Sequence, residues 1–284
     1  MKVVLTVAGL GTRLLPLTKE IPKEMLPIYA KTKGNTLIFK PILQVIFESL
    51  YNFRIRKFCF IVGKTKRAVK EHFVPNDLLI KTLQKEEKVK LIKIMKDFFA
   101  KLKKSQIIFI TQPKPIGFGN AIQYAKKFVG KDIFLLHAGD DIVISKNNNH
   151  LKRLIGNYKK FNSDYAFLIE RVQDPKKYGV VNGKFINPNV IDVKEIEEKP
   201  KKPKTNLAII AIYVFKPKIF YYLERVSKTS TPQNQLTDAI RLAIKNNEKV
   251  IGIILNNNEY RVDIGTPETY FQTLISLKEH SKKI

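Results

Sequence analysis

Short, mainly apolar runs alternate with segments of helical spacing along the first half of the chain. The apolar runs predict buried strands at 2–8, 57–63, 106–112 and 132–138. Apolar residues that recur every three or four positions predict helices at 40–53, 76–104 and 119–129. Strands that are apolar on both faces and alternate with helices are typical of a parallel sheet covered by helices. The pattern therefore predicts an α/β fold with a mostly parallel sheet.

The pattern changes from about residue 164, where strands are broken by Asn, Gly and Pro turns. This pattern of short strands and turns predicts a β-rich lobe that continues the same domain. A helix is predicted at 236–247, with Thr237 or Asp238 as its N-terminal cap, and another helix ends the chain. Because ligands of parallel sheets bind where strands end and loops begin, the loops that follow the strands of the first half form the candidate site.

Cysteine content and hydropathy limit where the protein can work. Cys59 is the only cysteine, which excludes an internal disulfide framework and is typical of a reducing compartment. The longest clean apolar run, 207–215, is far shorter than the ~20 residues that a membrane-spanning helix needs. The N-terminal apolar run has no small-residue cleavage site after it and is interpreted as a strand. We therefore expect a cytoplasmic protein without a membrane span.

The formal net charge of +27 would attract polyanions. The chain has no zinc-finger or RNA-recognition signature, and its lysines are spread over many segments, so we expect no specific nucleic-acid partner. Small polyphosphate substrates would exploit the same positive field. A nucleic-acid-binding protein that relies on charge remains a rival interpretation, and it predicts salt-sensitive binding of DNA or RNA.

The loop after the first strand, "GLGTR" (9–13), has the composition of a phosphate-binding turn. Leu14 stands where a dinucleotide fingerprint has its third glycine, and the Gly-Lys-Ser/Thr of a Walker loop is missing. Glycines still let backbone N–H groups approach an anion, and Arg13 adds a forked cation suited to phosphate oxygens. Lys23 follows in the same loop. The alternative is a tight strand-to-helix turn with exposed charges.

The whole segment "AGLGTRLLPLTKEIPKEMLP" (8–27) resembles the signature loop of sugar-1-phosphate nucleotidylyltransferases, and its "IPKEMLP" is most similar to the uridylyltransferases of that family. Further segments follow in the family's order over roughly residues 3–270. They are "GFGNAI" (117–122), "GDDIV" (139–143), "YGVV" (178–181), "EEKP" (197–200), "TNLAI" (205–209), "NQLTDAI" (234–240) and "VDIGTPE" (262–268). Several motifs in one order identify the family far better than any single motif does.

The resemblance implies a Rossmann-like sheet of the nucleotide-diphospho-sugar transferase type. It implies a single nucleotidyltransferase domain over 1–284, with a nucleotide-binding part at 1–160 and a sugar-binding lobe and C-terminal helix at 161–284. The implied reaction joins UTP and glucose 1-phosphate with the help of Mg²⁺. A thymidylyltransferase, or an enzyme that accepts both UTP and dTTP, is the nearest alternative, and a non-catalytic protein that keeps the fold is another. The family also implies a homo-oligomer.

Carboxylates at the ends of two predicted strands are the candidate metal ligands. Asp140 follows an apolar strand directly, and Asp263 lies in "VDIG" at the end of another. Two carboxylates that meet over a sheet would bind Mg²⁺ and leave its other positions to phosphate and water. The resemblance implies Asp140 as the ligand of this loop and Asp141 as a bystander. Either aspartate could instead cap a turn.

The resemblance also implies roles for the cations and the strand ends, with Arg13, Lys23, Asp140 and Lys199 as the catalytic set. On the nucleotide side, the candidate residues are Ala8, Gly9, Gln112 and Gly117 for the base, Gly11, Thr12 and Arg13 for the β- and γ-phosphates, and Lys23 for the α-phosphate. On the sugar-phosphate side they are Gly179, Glu198, Lys199 and Asn206. Two departures from the family, Asn120 in place of a frequent His and an apparent insertion at 30–39, are expected to border the nucleotide and to affect base preference.

Overall fold

A nine-stranded sheet forms the centre of the molecule in a computed structural model, which describes residues 1–32, 34–227, 229–231, 234–262 and 264–283 and, from residue 280 on, the backbone only. The strands are β1 (Lys2–Val7), β2 (Pro27–Lys31), β3 (Leu37–Pro41), β4 (Lys57–Gly63), β5 (Gln106–Gln112), β6 (Phe134–Ala138), β7 (Ile142–Ile144), β8 (Tyr165–Arg171), β9 (Gly179–Asn187), β10 (Val190–Glu198), β11 (Leu207–Phe215), β12 (Val250–Ile254) and β13 (Tyr260–Val262). The helices are α1 (Ile42–Asn52), α2 (Arg67–His72), α3 (Asp77–Lys85), α4 (Val89–Lys103), α5 (Phe118–Gln123), α6 (Lys126–Val129), α7 (Asn149–Lys160), α8 (Ile219–Val226), α9 (Gln235–Lys245) and α10 (Pro267–Lys283).

The strand order of the central sheet is β5-β4-β1-β6-β11-β8-β12-β10-β9. The four strands from the first half of the chain pair in parallel, as predicted. The sheet becomes mixed in the second half, where β11 is antiparallel to β6 and β8, and β10 is antiparallel to β12 and β9. The predicted β-rich lobe is therefore not a separate sheet but an extension of the first one. Two small sheets, β2–β3 and β7–β13, flank it.

Both faces of the sheet are buried, which explains why its strands read as continuous apolar runs. In β1, Val3 and Leu5 face one hydrophobic core, whereas Val4 faces a second core on the other side. In β4, Phe58 and Cys59 divide between the two cores in the same way. Successive side chains of a strand point to opposite faces, so a strand covered on both sides has no position at which a polar side chain is favoured.

Some predicted helices differ from the structure in their continuity or their ends. The helix predicted at 119–129 is two short helices, α5 and α6. The helix predicted at 76–104 is two helices, α3 and α4, because the chain turns at Glu87, whose φ is 54°. The helix predicted to be capped by Thr237 or Asp238 begins earlier, at Gln235, so both residues lie in its first turn. Thr237 is thereby placed toward β10, where its hydroxyl donates to Glu198.

Some elements lie in segments for which no helix or strand was predicted. In α7, His150, Leu151, Leu154 and Tyr158 are buried at helical spacing, but the run of asparagines before them looks like a loop. The apparent insertion at 30–39 belongs to the β2–β3 hairpin. That hairpin packs on α10, where the Tyr270 hydroxyl donates to the Pro27 carbonyl. For α7, the spacing of apolar residues alone did not distinguish a short helix from a loop.

We expect the stability of the fold to fall as the pH drops below neutrality, because burial lowers the pKa of His150 from 6.5 to about 4, with His137 and Arg153 adding to this effect and Glu259 opposing it. A group with a depressed folded-state pKa contributes stability that is present above its unfolded pKa and is lost as the pH falls toward its folded pKa. The free energy of unfolding should decrease by about 2 kcal/mol between pH 7 and pH 5 from this residue.

Urea unfolding of the wild type and of His150→Phe at the two pH values measures this contribution. Burial also lowers the pKa of His72 to about 4. Because His72 titrates in both proteins, the difference between them isolates His150. An equal loss of stability in the two proteins would show that His150 does not carry it.

Candidate active site

The carboxyl ends of β1, β5 and β6 meet at one edge of the sheet and form the floor of a cavity of about 610 Å³. Residues from the β-rich half complete its wall. Nearly all predicted site residues line it: Ala8, Gly9, Gly11, Thr12, Arg13, Lys23, Gln112, Gly117, Asp140, Gly179, Glu198 and Lys199. Asn206 does not line the cavity; it is exposed at the start of β11, so the structure does not place it as a sugar contact. Asp263 lies outside the described residues.

The loop after β1 is folded tightly over its own backbone. Gly11 adopts a left-handed conformation, with φ at 67°, and its carbonyl accepts a 2.8 Å hydrogen bond from the Thr18 hydroxyl. A Cβ atom at Gly11 would lie 3.2 Å from Thr18, so both the conformation and the space favour glycine. Leu14 is buried and anchors the turn, whereas Thr12 and Arg13 remain exposed to the cavity.

Lys23 and Asp140 form an ion pair across the cavity floor. Burial alone would lower the pKa of Lys23, but the neighbouring Asp140 carboxylate raises it above its ordinary value. Burial would likewise raise the pKa of Asp140, and the Lys23 ammonium holds it below its ordinary range. Both groups are therefore charged at neutral pH. The side chains keep 16% and 30% of their exposure, so each can still reach a ligand in the cavity.

A second ion pair lies behind the first one. The Glu24 carboxylate accepts two hydrogen bonds from the Lys66 ammonium, at 2.8 and 2.6 Å, and both side chains are buried. Burial raises the pKa of Glu24 and lowers that of Lys66, each toward its neutral form, although the two charges attract. Glu24 also lines the cavity, whereas Lys66 does not, and the Glu24 and Asp140 carboxylates interact electrostatically.

Asp141 is a buried structural clamp. One carboxylate oxygen accepts from Arg261 Nε at 2.6 Å, and the other accepts from the Ala211 backbone N–H at 3.0 Å. Both oxygens are thus engaged by protein, which fits the expectation that Asp141 is a bystander to a metal at Asp140. The clamp connects the turn after β6 to β11 and β13.

The sugar-phosphate side of the cavity is built around Glu198 and Gly179. Burial raises the pKa of Glu198, whose Oε2 accepts a 3.0 Å hydrogen bond from the Thr237 hydroxyl. A Cβ atom at Gly179 would lie 3.0 Å from that carboxylate, so only glycine leaves the approach open. Lys199 follows with φ at 46°, and its backbone N–H donates to the Tyr178 carbonyl at 3.0 Å.

Gln112 is the last residue of β5, and it is buried. Its Nε2 donates to Asn120 Oδ1 at 2.8 Å and more weakly to the Gly117 carbonyl at 3.4 Å. The backbone N–H of Asn120 donates in turn to Gln235. Asn120 therefore orients the amide of Gln112, although Asn120 itself does not line the cavity. None of the described residues of 30–39 lines the cavity, so the structure does not place this segment beside the candidate nucleotide contacts.

Several cavity residues received no role in the site predicted from the sequence, among them Glu24, Tyr178 and Arg261. Glu24 and Tyr178 stand inside quoted motifs, next to residues that received roles, and a charge flanked by prolines was a usable signal for Glu24. Nothing local marks Arg261, because its partner Asp141 is 120 positions away in the chain.

The described residues contain no group of three or more His, Cys, Asp or Glu side chains able to hold a metal ion. Mg²⁺ does not need one, since it usually keeps several waters and binds through one or two carboxylates and substrate phosphates. The ionised, partly exposed carboxylate of Asp140 on the cavity floor is a donor of that kind. The residues present therefore fit a magnesium site that is completed by substrate.

Proteins of known name and structure are similar to this chain over nearly its whole length. The chain is 35% identical to the UTP–glucose-1-phosphate uridylyltransferase of Mycoplasma genitalium over 99% of this chain and 94% of that one, and 32% identical to the enzyme of that name from Bacillus subtilis over 100% and 92%. A structure of UDP-glucose pyrophosphorylase complexed with UDP-glucose is similar with a TM-score of 0.81 and 28% identity, covering 98% of both chains. UTP-bound UGPase from Acinetobacter baumannii matches with a TM-score of 0.83 and 27% identity over 97% of this chain and 92% of that one.

Across the part of the chain that the structure describes, no helix combines the length and apolar character needed to cross a membrane. The family model described as nucleotidyl transferase matches residues 2–280, almost the whole sequence. With that match and full-length relatives above 30% identity, the chain belongs to the nucleotidyl transferase family.

Proposed function

We propose that the protein transfers the uridylyl group of UTP to glucose 1-phosphate, forming UDP-glucose and pyrophosphate. The main support is that one cavity joins two sets of cations. Arg13 and Lys23 lie at the ends of the parallel strands, and Lys199 lies on the wall from the β-rich half. Residues 1–160 would supply the nucleotide side, and the sugar side would come from 161–284. The names of the similar proteins support this choice of substrates.

The reaction is an in-line displacement at the α-phosphorus of UTP. A phosphate oxygen of glucose 1-phosphate forms the new P–O bond, and the bond from the α-phosphorus to the bridging oxygen breaks. Pyrophosphate leaves with that bond's electron pair. Because the second pKa of a phosphate monoester is about 6, the attacking oxygen is already anionic near neutral pH. The protein therefore needs to hold two anions together and stabilise developing charge, and no general base is required.

On the nucleotide side, Gly11 adopts a left-handed conformation and lines the cavity, where the backbone N–H groups of its turn would suit the β- and γ-phosphates together with Arg13. Lys23 would contact the α-phosphate. Its ion pair with Asp140 holds the ammonium in place before substrate arrives, so little reorganisation is needed when charge develops.

Asp140 and, by resemblance to the family, Asp263 would hold Mg²⁺, which supplies positive charge to the triphosphate and the departing pyrophosphate. The pKa of Asp140, held low by Lys23, keeps the carboxylate ionised and ready to bind a cation. Asp141 would orient this turn through its two hydrogen bonds and remain outside the coordination shell.

On the sugar side, Glu198 would accept hydrogen bonds from sugar hydroxyls, with Thr237 fixing its orientation. The open approach at Gly179 would admit the ring, and Lys199 would bind the 1-phosphate. Asn206 has no part in this proposal, because it is outside the cavity lining.

Base preference is the test of the proposed function. Gln112 and the backbone of Ala8 and Gly9 are the candidate base contacts, and uracil differs from thymine by one methyl group. A difference of that size is worth about 1–3 kcal/mol in discrimination, so we expect UTP to be preferred over dTTP by about 10- to 100-fold in kcat/KM.

Pyrophosphate release with glucose 1-phosphate and each of UTP, dTTP, CTP and ATP measures this preference. Equal rates with UTP and dTTP would favour the dual-specificity alternative. No pyrophosphate from any of the four would overturn the proposal.

We further propose that the protein acts in the cytoplasm as a homo-oligomer, on the basis of its single buried cysteine and its family. Light scattering after size-exclusion chromatography tests the assembly. A monomer at assay concentration would contradict it.

A further inference from the structure

Arg261 occupies a position between the two halves of the cavity. It is the central residue of β13, paired with Val143 of β7, the strand that follows the Asp140–Asp141 turn. This pairing puts its guanidinium beside Asp141, to which Nε donates. The side chain keeps only 16% of its exposure and lines the cavity. Its orientation is thus set by two long-range contacts and not by local sequence.

The same guanidinium lies over the ring of Tyr178, at 5.2 Å from the ring centre. An Arg guanidinium within ~6 Å of an aromatic ring is attracted by the ring's negative face. Tyr178 immediately precedes Gly179, and its carbonyl accepts the backbone N–H of Lys199. Tyr178 is therefore connected to two residues of the sugar-phosphate side, to Gly179 by the peptide bond and to Lys199 by a backbone hydrogen bond.

These contacts form a continuous series from the Asp140–Asp141 turn to the sugar-phosphate side of the cavity. Asp141 holds Arg261, Arg261 supports Tyr178, and Tyr178 holds Lys199 through the backbone.

We propose that Arg261 is a positioning residue that, through the ring of Tyr178, sets the place of the sugar-phosphate-binding segment relative to the Asp140–Asp141 turn. This inference rests on the proposed function for the identity of the sugar phosphate. Arg261 acts through Tyr178, so the ring, and not its hydroxyl, transmits the effect.

The test is a double-mutant cycle in steady-state kinetics. Arg261→Met and Tyr178→Leu should each raise the KM for glucose 1-phosphate about five- to thirtyfold, as expected for one cation–π contact, with the KM for UTP changed less than twofold. The double variant should be no worse than the worse single variant, because the two residues act as one unit. Tyr178→Phe keeps the ring and should stay within about twofold of the wild type.

Matched controls separate positioning from folding. Arg171 also lies over an aromatic ring, Phe185, at 5.9 Å, but this pair is on the surface and outside the cavity lining, so Arg171→Met should leave both KM values unchanged. Arg261→Lys keeps a charge beside Asp141, and thermal unfolding of each variant reports on its fold. If Arg261→Met fails to fold, Arg261→Lys and the two Tyr178 variants still measure the ring contact.

Three results would overturn the inference. One is full additivity in the double variant, which would mean that Arg261 contacts the substrate directly. Another is that the variants need a higher magnesium concentration for half-maximal rate while their KM for glucose 1-phosphate is unchanged. The third is a Tyr178→Phe defect as large as that of Tyr178→Leu. The proposed function is judged separately by the wild type, which must release pyrophosphate before any variant is compared.

Discussion

Lys23→Met is expected to lower kcat about 100- to 1,000-fold, the usual cost of removing one preorganised charge from a transition state. Lys23 lies on the cavity floor, and its ammonium is held there by Asp140 before substrate binds. No other lysine in the opening loop occupies such a position. Charge that develops at the α-phosphate would therefore lose its nearest fixed cation.

The free energy of unfolding should change much less than the rate. The Asp140 carboxylate keeps 30% of its exposure, so water in the cavity can solvate it when Lys23 is absent. Pyrophosphate release and urea unfolding of the same preparation give both numbers. If Lys23→Met lowered the free energy of unfolding by as much as it raised the activation free energy of the reaction, a specific role for Lys23 in the reaction would be rejected.

Lys19 offers the matched control in the same loop. Its side chain is 78% exposed and lies 3.7 Å from the Glu20 carboxylate, and it does not line the cavity. Lys19→Met removes the same charge from the protein as a whole, so it separates the local effect of Lys23 from the general attraction of a basic protein for UTP. We expect its kcat to stay within about twofold of the wild type. A fall as large as that of Lys23→Met would mean that net charge, and not position, governs the rate.

The parts of this site that could be predicted are those that follow from strand order. Once 2–8 and 132–138 are interpreted as parallel strands, the loops after them meet at one sheet edge, and Lys23 and Asp140 come together although they are 117 positions apart. The strands Lys57–Gly63 and Gln106–Gln112 have the predicted bounds, because each is a buried apolar run next to charged or turn residues.

The contacts that could not be predicted depend on side-chain geometry between distant elements. Lys66 reaches Glu24 from the turn after β4, and Arg261 reaches Asp141 only because β13 pairs with β7. Neither Lys66 nor Arg261 is distinguished from the many other cations of the chain by its neighbours in sequence. The many other lysines and arginines hide Lys66 and Arg261 in the sequence, and burial separates these two from the exposed cations in the structure.

Lys66→Met is expected to destabilise the protein by about 3–5 kcal/mol, the cost of leaving one partner of a buried ion pair uncompensated. Lys66 and Glu24 are 8% and 1% exposed, so water cannot take the place of the lost ammonium. Without Lys66, the Glu24 carboxyl must be protonated in the fold or remain a buried charge next to Asp140.

The loss should depend on pH in a defined direction. Burial already raises the pKa of Glu24 above its ordinary value of 4.5, and removing Lys66 raises it further. A carboxyl whose folded-state pKa is raised favours the fold while it is protonated, and this advantage is lost as the pH rises through the folded pKa. The destabilisation of Lys66→Met relative to the wild type should therefore be smaller near pH 5 than at pH 8, as measured by urea unfolding.

Two further variants decide whether the pair itself is responsible. Lys64 is exposed in the same turn, so Lys64→Met should leave stability within about 0.5 kcal/mol of the wild type. The double variant Lys66→Met with Glu24→Leu removes both charges and should regain much of the loss, since a buried ion pair can often be replaced by apolar side chains of similar volume without cost. Glu24 lines the cavity, so this recovered stability should come without recovered activity. A double variant that is less stable than Lys66→Met alone would show that packing around Lys66, and not its charge, holds this side of the cavity together.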